Sequence, residues 1–253
     1  MVNLKPDSAF FPKQGLAITI NKITKMNQKI VLITGATSGI GEACARKFAQ
    51  GGYALILTGR KADKLEALSE ELQQKGVKTK ILVFDVRDRE AARKAVESLE
   101  DQWKQIDVLI NNAGLALGLD KEYQVNPEDW DVMIDTNVKG LLTMTRLVVP
   151  GMVSRNHGHV INIGSVAGDA AYAGGNVYCA TKAAVKALTD GLRIDVADTC
   201  VRVTDIKPGL VETHFSVTRF KGDEKKADHV YQGIHPLNGD DIADVAFYAA
   251  SAP

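Results

Sequence analysis

Tyr178 and Lys182 stand four residues apart in Tyr-Cys-Ala-Thr-Lys, a spacing that puts both side chains on one face of a helix. An unperturbed tyrosine has a pKa of ~10 and is a poor base near neutrality. A neighbouring ammonium favours the phenolate, so the pair could exchange a proton with an alcohol or a carbonyl oxygen. Ser165, thirteen residues before the tyrosine, brings a hydroxyl that could donate to a substrate oxygen as negative charge develops there. Asn137, in Ile-Asp-Thr-Asn-Val-Lys-Gly, and the run Asn111-Asn112-Ala113-Gly114 complete the polar groups worth placing. A lone Tyr-x-x-x-Lys is also an ordinary pair of an exposed helix, and the spacing alone leaves both readings open.

A second chemistry lies near the start of the ordered pattern. Thr34-Gly35-Ala36-Thr37-Ser38-Gly39-Ile40-Gly41 directly follows an apolar run and precedes a helical one. Glycines there allow a tight turn and close backbone approach to a pyrophosphate, while the following helix offers its free N–H groups to the anion. The spacing is G-x-x-x-G-x-G rather than the G-x-G-x-x-G of the dinucleotide fingerprint. An NAD-binding chain is expected to carry an acid at the end of its second strand for the ribose 2′-hydroxyl. Here the residues are Thr58-Gly59-Arg60-Lys61, two cations and no carboxylate. Arg60 and Lys61 therefore suit a 2′-phosphate, and NADP is the cofactor expected. The alternative is a solvated helix start.

These groups need a scaffold, and the hydrophobic pattern supplies one. Short apolar runs at 29–34, 53–58, 79–84, 107–111, 159–163 and 201–206 alternate with helical patterns. Leu65, Leu68 and Leu72 share a helix face that Gly76 stops, and Ala92, Ala95, Val96, Leu99 and Trp103 trace another. Longer helical patterns cover 127–154, 176–198 and 240–250. Near-continuous apolar strands alternating with helices predict a parallel sheet covered on both faces. The fold class expected is α/β: a Rossmann-type doubly wound parallel sheet in one three-layer α/β/α domain. Residues 207–238, with Pro208-Gly209, break the rhythm and read as an irregular lid or loop.

Composition narrows the classes further. The 253 residues carry 31 Lys plus Arg and 31 Asp plus Glu, so the formal net charge is zero. That balance disfavours a nucleic-acid partner, which demands basic excess. No apolar stretch approaches the ~20 residues of a membrane span. Three scattered cysteines, Cys44, Cys179 and Cys200, fit a reducing, cytoplasmic setting rather than a disulfide framework. No metal site is expected. Residues 1–27 have no clear period and read as a disordered leader, or as the consequence of a start upstream of Met26, with the fold beginning at Gln28.

The joint pattern resembles the short-chain dehydrogenase/reductase family across essentially all of residues 28–250. The glycine loop, Asn111-Asn112-Ala113-Gly114, Asn137, Ser165, Tyr178, Lys182 and Pro208-Gly209 stand in that family's order and spacing. The resemblance implies a catalytic tetrad: Tyr178 as general acid/base, Ser165 orienting the carbonyl, Lys182 holding the nicotinamide ribose and tuning Tyr178, and Asn137 holding a water of the proton relay. It also implies cofactor contacts from Gly35, Thr37, Ser38, Gly39, Ile40 and Gly41. Asp85 and Val86 would bracket the adenine, Asn112, Ala113 and Gly114 would line the adenosine ribose side, and Val211 and Thr213, after Pro208-Gly209, would meet the nicotinamide amide.

Arg155–Ser165, Tyr172–Tyr178, Arg202–Ile206 and Pro208–Thr213 resemble a narrower group, the NADP-dependent 3-hydroxy acid dehydrogenases. That implies hydride transfer between NADP(H) and a small 3-hydroxy acid of the serine, L-allo-threonine or 3-hydroxypropionate type. A 3-hydroxy acid brings a carboxylate, and Arg219 in the lid segment is the candidate to meet it, with Ser165 at the oxygen; a solvated loop arginine is the alternative. A ketone, sugar or acyl-thioester reductase, or a non-catalytic NADP-binding regulator, are the competing functions. His214 is expected at the surface and Cys179 in packing. The resemblance implies a homo-oligomer, a tetramer. Family members continue past the last helix into a further strand and tail, whereas this sequence ends Ser251-Ala252-Pro253, so either the sequence is truncated or that sheet edge is open.

Overall fold

The computed structural model describes residues 28–252; the expected leader, 1–27, lies outside them. Six strands form one sheet: β1 (Ile30–Thr34), β2 (Ala54–Gly59), β3 (Thr79–Val83), β4 (Ile106–Asn111), β5 (Gly158–Ile163) and β6 (Val201–Ile206). Every pairing is parallel and the order is β3-β2-β1-β4-β5-β6. The order reverses between β1 and β4, and ligands of open α/β sheets bind in the crevice at the carboxyl ends of such a pair.

The period-2 alternation of each strand divides its side chains between two cores. Val31 and Ile33 of β1, with Leu55, Leu57, Val108 and Ile110, face α1 (Gly39–Gln50), α2 (Ala62–Gln74) and α9 (Gly239–Ser251) through Cys44, Phe48, Leu65, Leu72, Ile242 and Ala246. Ile30 and Leu32, with Ile56, Leu109 and Val160, face α3 (Arg89–Glu97) and α5 (Leu141–Ser154) through Ala92, Val96, Met144 and Met152. These are the two outer layers of the expected sandwich.

Helix ends follow their capping chemistry. Asp88 accepts from the amides of Glu90 and Ala91 to start α3. Asn126 caps α4 (Pro127–Ile134), whose Pro127 occupies a first-turn position needing no N–H bond. Asn238 and Asp241 form a reciprocal capping box at α9. The α3 pattern outruns the helix: Leu99 and Trp103 are buried beyond its end, in the turn that leads to β4. The single helix expected over 127–154 is α4, a π turn at Asp135–Gly140, and α5. The remaining long helix is α6 (Asn176–Asp195). The irregular 207–238 stretch contains two six-residue helices, α7 (His214–Arg219) and α8 (Glu224–His229), capped by Thr213 and Asp223. None of the helices among the described residues is long and apolar enough to cross a membrane.

Candidate active site

The turn after β1 is held open by its neighbour. The Thr34 hydroxyl accepts from the backbone amides of Asn112 and Ala113, both at 3.0 Å. The Asn112 side-chain amide donates back to the carbonyls of Thr34 and Gly35 at 2.9 and 3.1 Å. Gly35 and Gly39 take φ of 67° and 54°, the left-handed region that a Cβ disfavours. Gly41 has another reason: a Cβ there would fall inside contact distance of the Gly35 carbonyl and the Asn112 amide. Ser38 sits at the N-cap of α1 without a side-chain bond to the first turn, which leaves those N–H groups available to an anion. The loop thus fits a dinucleotide pyrophosphate by shape and by charge. Gly41→Ala is expected to weaken NADPH binding at least ~10-fold and lower stability by about 1–3 kcal/mol, because an overpacked site must shift backbone. Fluorescence titration and thermal melting check both.

From that loop a cavity of about 1320 Å³ runs across the carboxyl ends of the strands. Its wall takes in Gly35, Thr37, Ser38, Gly39, Ile40, Arg60, Asp85, Val86, Asn112, Ala113 and Gly114 at one end. Ser165, Tyr178, Lys182 and Arg219 line the other, and Pro208, Gly209, Val211 and Thr213 share the same wall, with Thr213 against Gly39. Of the residues expected here, Gly41, Lys61 and Asn137 are not on the wall. Gly41 packs beneath the loop, as just described. Lys61 is the exposed N-cap residue of α2 and leaves Arg60 as the cation on the wall. Arg60 is more than half exposed, with Nη1 3.7 Å from the Asp85 carboxylate. Asp85 has a stronger partner that sequence reasoning missed: Arg87, whose Nε and Nη2 reach it at 3.0 and 2.7 Å.

Asn137 is buried behind Gly114 in the π turn, with its side-chain amide committed to protein. Its Oδ1 accepts from the Leu115 amide at 2.8 Å. Both Nδ2 hydrogens are used, on the Leu115 carbonyl at 2.8 Å and on Thr181 Oγ1 at 3.0 Å. No donor of the side chain is left for the expected relay water, which would have to donate to an acceptor of this residue. The side chain locks the β4 loop against α6, and Thr181 is the partner the motif did not reveal.

At the reacting end, the face of α6 carries Tyr178 and Lys182, and Ser165 follows β5. Lys182 is buried, and its Nζ donates to the Ile163 carbonyl at 2.8 Å. Burial pulls its pKa down from 10.5 to about 8, with Asp205 opposing. Burial pushes the Tyr178 phenol up to about 12, while the Ser165 hydroxyl and the Arg219 charge pull it back. Lys182 was expected to do that pulling. Its Nζ lies 5.9 Å from the Tyr178 ring centroid, farther than the Arg219 guanidinium at 5.1 Å. Tyr172 and Phe215, neither singled out from sequence as site residues, complete the aromatic surround; the Phe215 ring meets Tyr178 edge-on at 5.6 Å. His214 is exposed at the cavity rim and Cys179 is buried, both as expected.

A glycine cradle at the sheet's switch point thus shares one cavity with the buried Lys182 and the half-buried Tyr178. The short chain dehydrogenase family profile matches residues 29–224. The chain belongs to the short chain dehydrogenase family. Within that family it is 52% identical over 225 residues to an NADP-dependent 3-hydroxy acid dehydrogenase of Salmonella typhi, covering 88% of this chain and 90% of the relative. It is 45% identical to sulfoacetaldehyde reductase 2 of Chromohalobacter salexigens, over 88% and 89% of the two chains. A solved structure, the closed form of serine dehydrogenase complexed with NADP+, superposes with a TM-score of 0.86 at 51% identity, covering 88% and 90%. As a short chain dehydrogenase the chain is an oxidoreductase, and the six-stranded parallel sheet is the family's Rossmann-type fold.

Proposed function

We propose that the chain transfers a hydride between NADP(H) and the hydroxyl-bearing carbon of a small 3-hydroxy acid, with Tyr178 as its acid/base. The observation that carries this reading is the meeting of Ser165, Tyr178 and Lys182 at one end of the cavity whose other end is the glycine cradle. The relatives support it, one named for 3-hydroxy acids with NADP and one for serine with NADP+ bound.

NADP, when bound, accepts or supplies the hydride at its nicotinamide ring. In oxidation Tyr178 takes the hydroxyl proton, and in reduction it returns a proton to the nascent alkoxide. Ser165 donates toward the same oxygen, stabilising the charge that develops on it. Lys182, fixed by the Ile163 carbonyl, would hold the nicotinamide ribose of bound NADP through its remaining ammonium hydrogens. With the phenol raised to about 12, Tyr178 rests protonated, ready as the acid of the reductive direction. Oxidation draws on the minor phenolate and accelerates as pH rises. A homotetramer working in the cytoplasm belongs to the same reading through the family resemblance, and the exposed apolar side chains Leu142 on α5 and Ile194 on α6 are ones that a subunit contact would cover.

NADP+ or NAD+ is offered with L-serine, L-allo-threonine, 3-hydroxypropionate or 2-propanol, and absorbance at 340 nm is followed. Turnover of the hydroxy acids with NADP+ is expected; turnover of the plain alcohol alone would reject the substrate class. Arg60→Glu is expected to raise KM for NADP+ about 10–100-fold, since a charge-assisted bond to the 2′-phosphate becomes a repulsion. KM for NAD+ should stay within threefold. An unchanged preference would place the selectivity elsewhere.

A further inference from the structure

Proton and hydride transfer leave the Arg219 cation beside Tyr178 unused. Arg219 ends α7, and its guanidinium lies among three rings: 5.1 Å from the centroid of Tyr178, 5.4 Å from Phe215 and 5.7 Å from Tyr172. Its Nη2 donates to the Tyr172 hydroxyl at 2.6 Å, and its Nε is buried with no partner. Among the described residues no carboxylate pairs with it. Asp223, on the same cavity wall, is engaged by Lys226. The position is fixed from behind as well, because the Arg219 carbonyl accepts from the Gly118 amide at 2.9 Å in the loop after β4. A guanidinium N–H buried without a partner is costly until an acceptor completes it, and the fork's other donors face the cavity. Its planar fork matches an acid group held through two hydrogen bonds.

We propose that Arg219, oriented by the Tyr172 hydroxyl, is the subsite that takes the substrate's carboxylate and so sets both its acidity and its length. The inference rests on the hydroxy-acid reading above and adds the residues that recognise the acid. The fork stands beside the Tyr178 ring, so an acid bound there places its hydroxyl within reach of Tyr178 only if little chain separates the two. One methylene between the carboxylate and the hydroxyl-bearing carbon, as in 3-hydroxypropionate, meets that condition. The clamp also belongs to the cofactor side of the cavity. Thr213, which caps the same short α7, lies against Gly39 of the glycine loop; a Cβ on that glycine would be 3.2 Å from the threonine's. One six-residue helix therefore links the acid contact to the pyrophosphate turn.

The test compares 3-hydroxypropionate with its neutral amide, 3-hydroxypropanamide, using NADP+ and the whole chain. The readout is the ratio of their kcat/KM values, which cancels effects common to both substrates. In Arg219→Met the ratio is expected to fall about 30–100-fold, mostly through KM for the acid. Arg219→Lys should recover part of it, as a charge without a fork, and Tyr172→Phe should lose a few-fold by freeing the guanidinium. A ratio within threefold of wild type in Arg219→Met would overturn the clamp. NADPH titration verifies that each variant is folded. If Arg219→Met does not fold, propionate against propionamide as inhibitors of the wild type takes its place. Propionate binding at least tenfold tighter supports the clamp, and equal binding overturns it. A wild type indifferent to acid or amide would instead count against the hydroxy-acid reading, which keeps the two failures apart.

Discussion

Tyr178→Phe loses at least ~1000-fold in kcat in both directions while NADPH binds within about threefold of wild type, because general acid–base catalysis is worth ~10²–10⁴ and nothing else near the reacting oxygen titrates as a substitute. Ser165 offers a hydroxyl that donates without a usable pKa, and Lys182 points its Nζ at the Ile163 carbonyl. The ring itself stays in place, since phenylalanine keeps the edge-on contact with Phe215 and the face that Arg219 covers. A second readout separates chemistry from packing. Burial holds the wild-type phenol high, at about 12, so oxidation should climb about tenfold per pH unit up to about pH 8, where Lys182 starts to lose its charge. The residual rate of the variant should be flat. Stopped-flow absorbance and fluorescence titration measure the two quantities, and a variant that keeps the slope would remove Tyr178 from the proton's path.

Lys182→Met separates stability from activity. The ammonium is buried, and its pKa falls from 10.5 to about 8, so holding it charged at neutral pH costs about 3 kcal/mol relative to the unfolded chain. The sign follows from proton counting. Between pH 8 and 10.5 the unfolded lysine keeps a proton that the folded one has released, so stability rises with pH through that window. Below pH 8 the full penalty is present. Methionine, of similar length and apolar, removes that penalty and leaves only the Ile163 carbonyl to satisfy. The variant is therefore expected to melt no lower than wild type at pH 7 and to show less gain in stability from pH 8 to 10. Its kcat/KM falls ~100–1000-fold, the usual cost of deleting one preorganised donor at a reacting centre. A melt lowered by several degrees with activity kept would make Lys182 a structural residue.

The sheet and its order were legible because parallel strands buried on both faces leave uninterrupted apolar runs, as Ile30–Thr34 and Ala54–Gly59 do. Burial outlasted regular structure at Leu99 and Trp103, and a helical period cannot distinguish a helix from a turn that keeps facing the core. Adjacency misled at Lys61, since the chain changes direction between Arg60 and α2 and carries the second cation off the wall. The asparagine at 137 stands where the family pattern puts it, yet the bonds that occupy its amide depend on a π turn that no local residue pattern announced. The α7 and α8 helices are too short to show periodicity, although their caps, Thr213 and Asp223, are ordinary N-cap residues. Arg219 was readable as a charge in a lid. Its setting was not, because Tyr172, Tyr178 and Phe215 reach it from separate segments that only the tertiary fold brings together.

The central claim is that the carbon three positions into a hydroxy acid surrenders a hydride at the Tyr178 end of the cavity. The direct measurement uses 3-hydroxypropionate dideuterated at C3, incubated with NADP+ and the chain, with the reduced cofactor examined by mass spectrometry. One deuterium in the NADPH formed, and a slower rate than with the protiated acid where chemistry limits turnover, is the predicted result. Reduced cofactor without deuterium, or no reduced cofactor while NADPH still binds, would contradict the account.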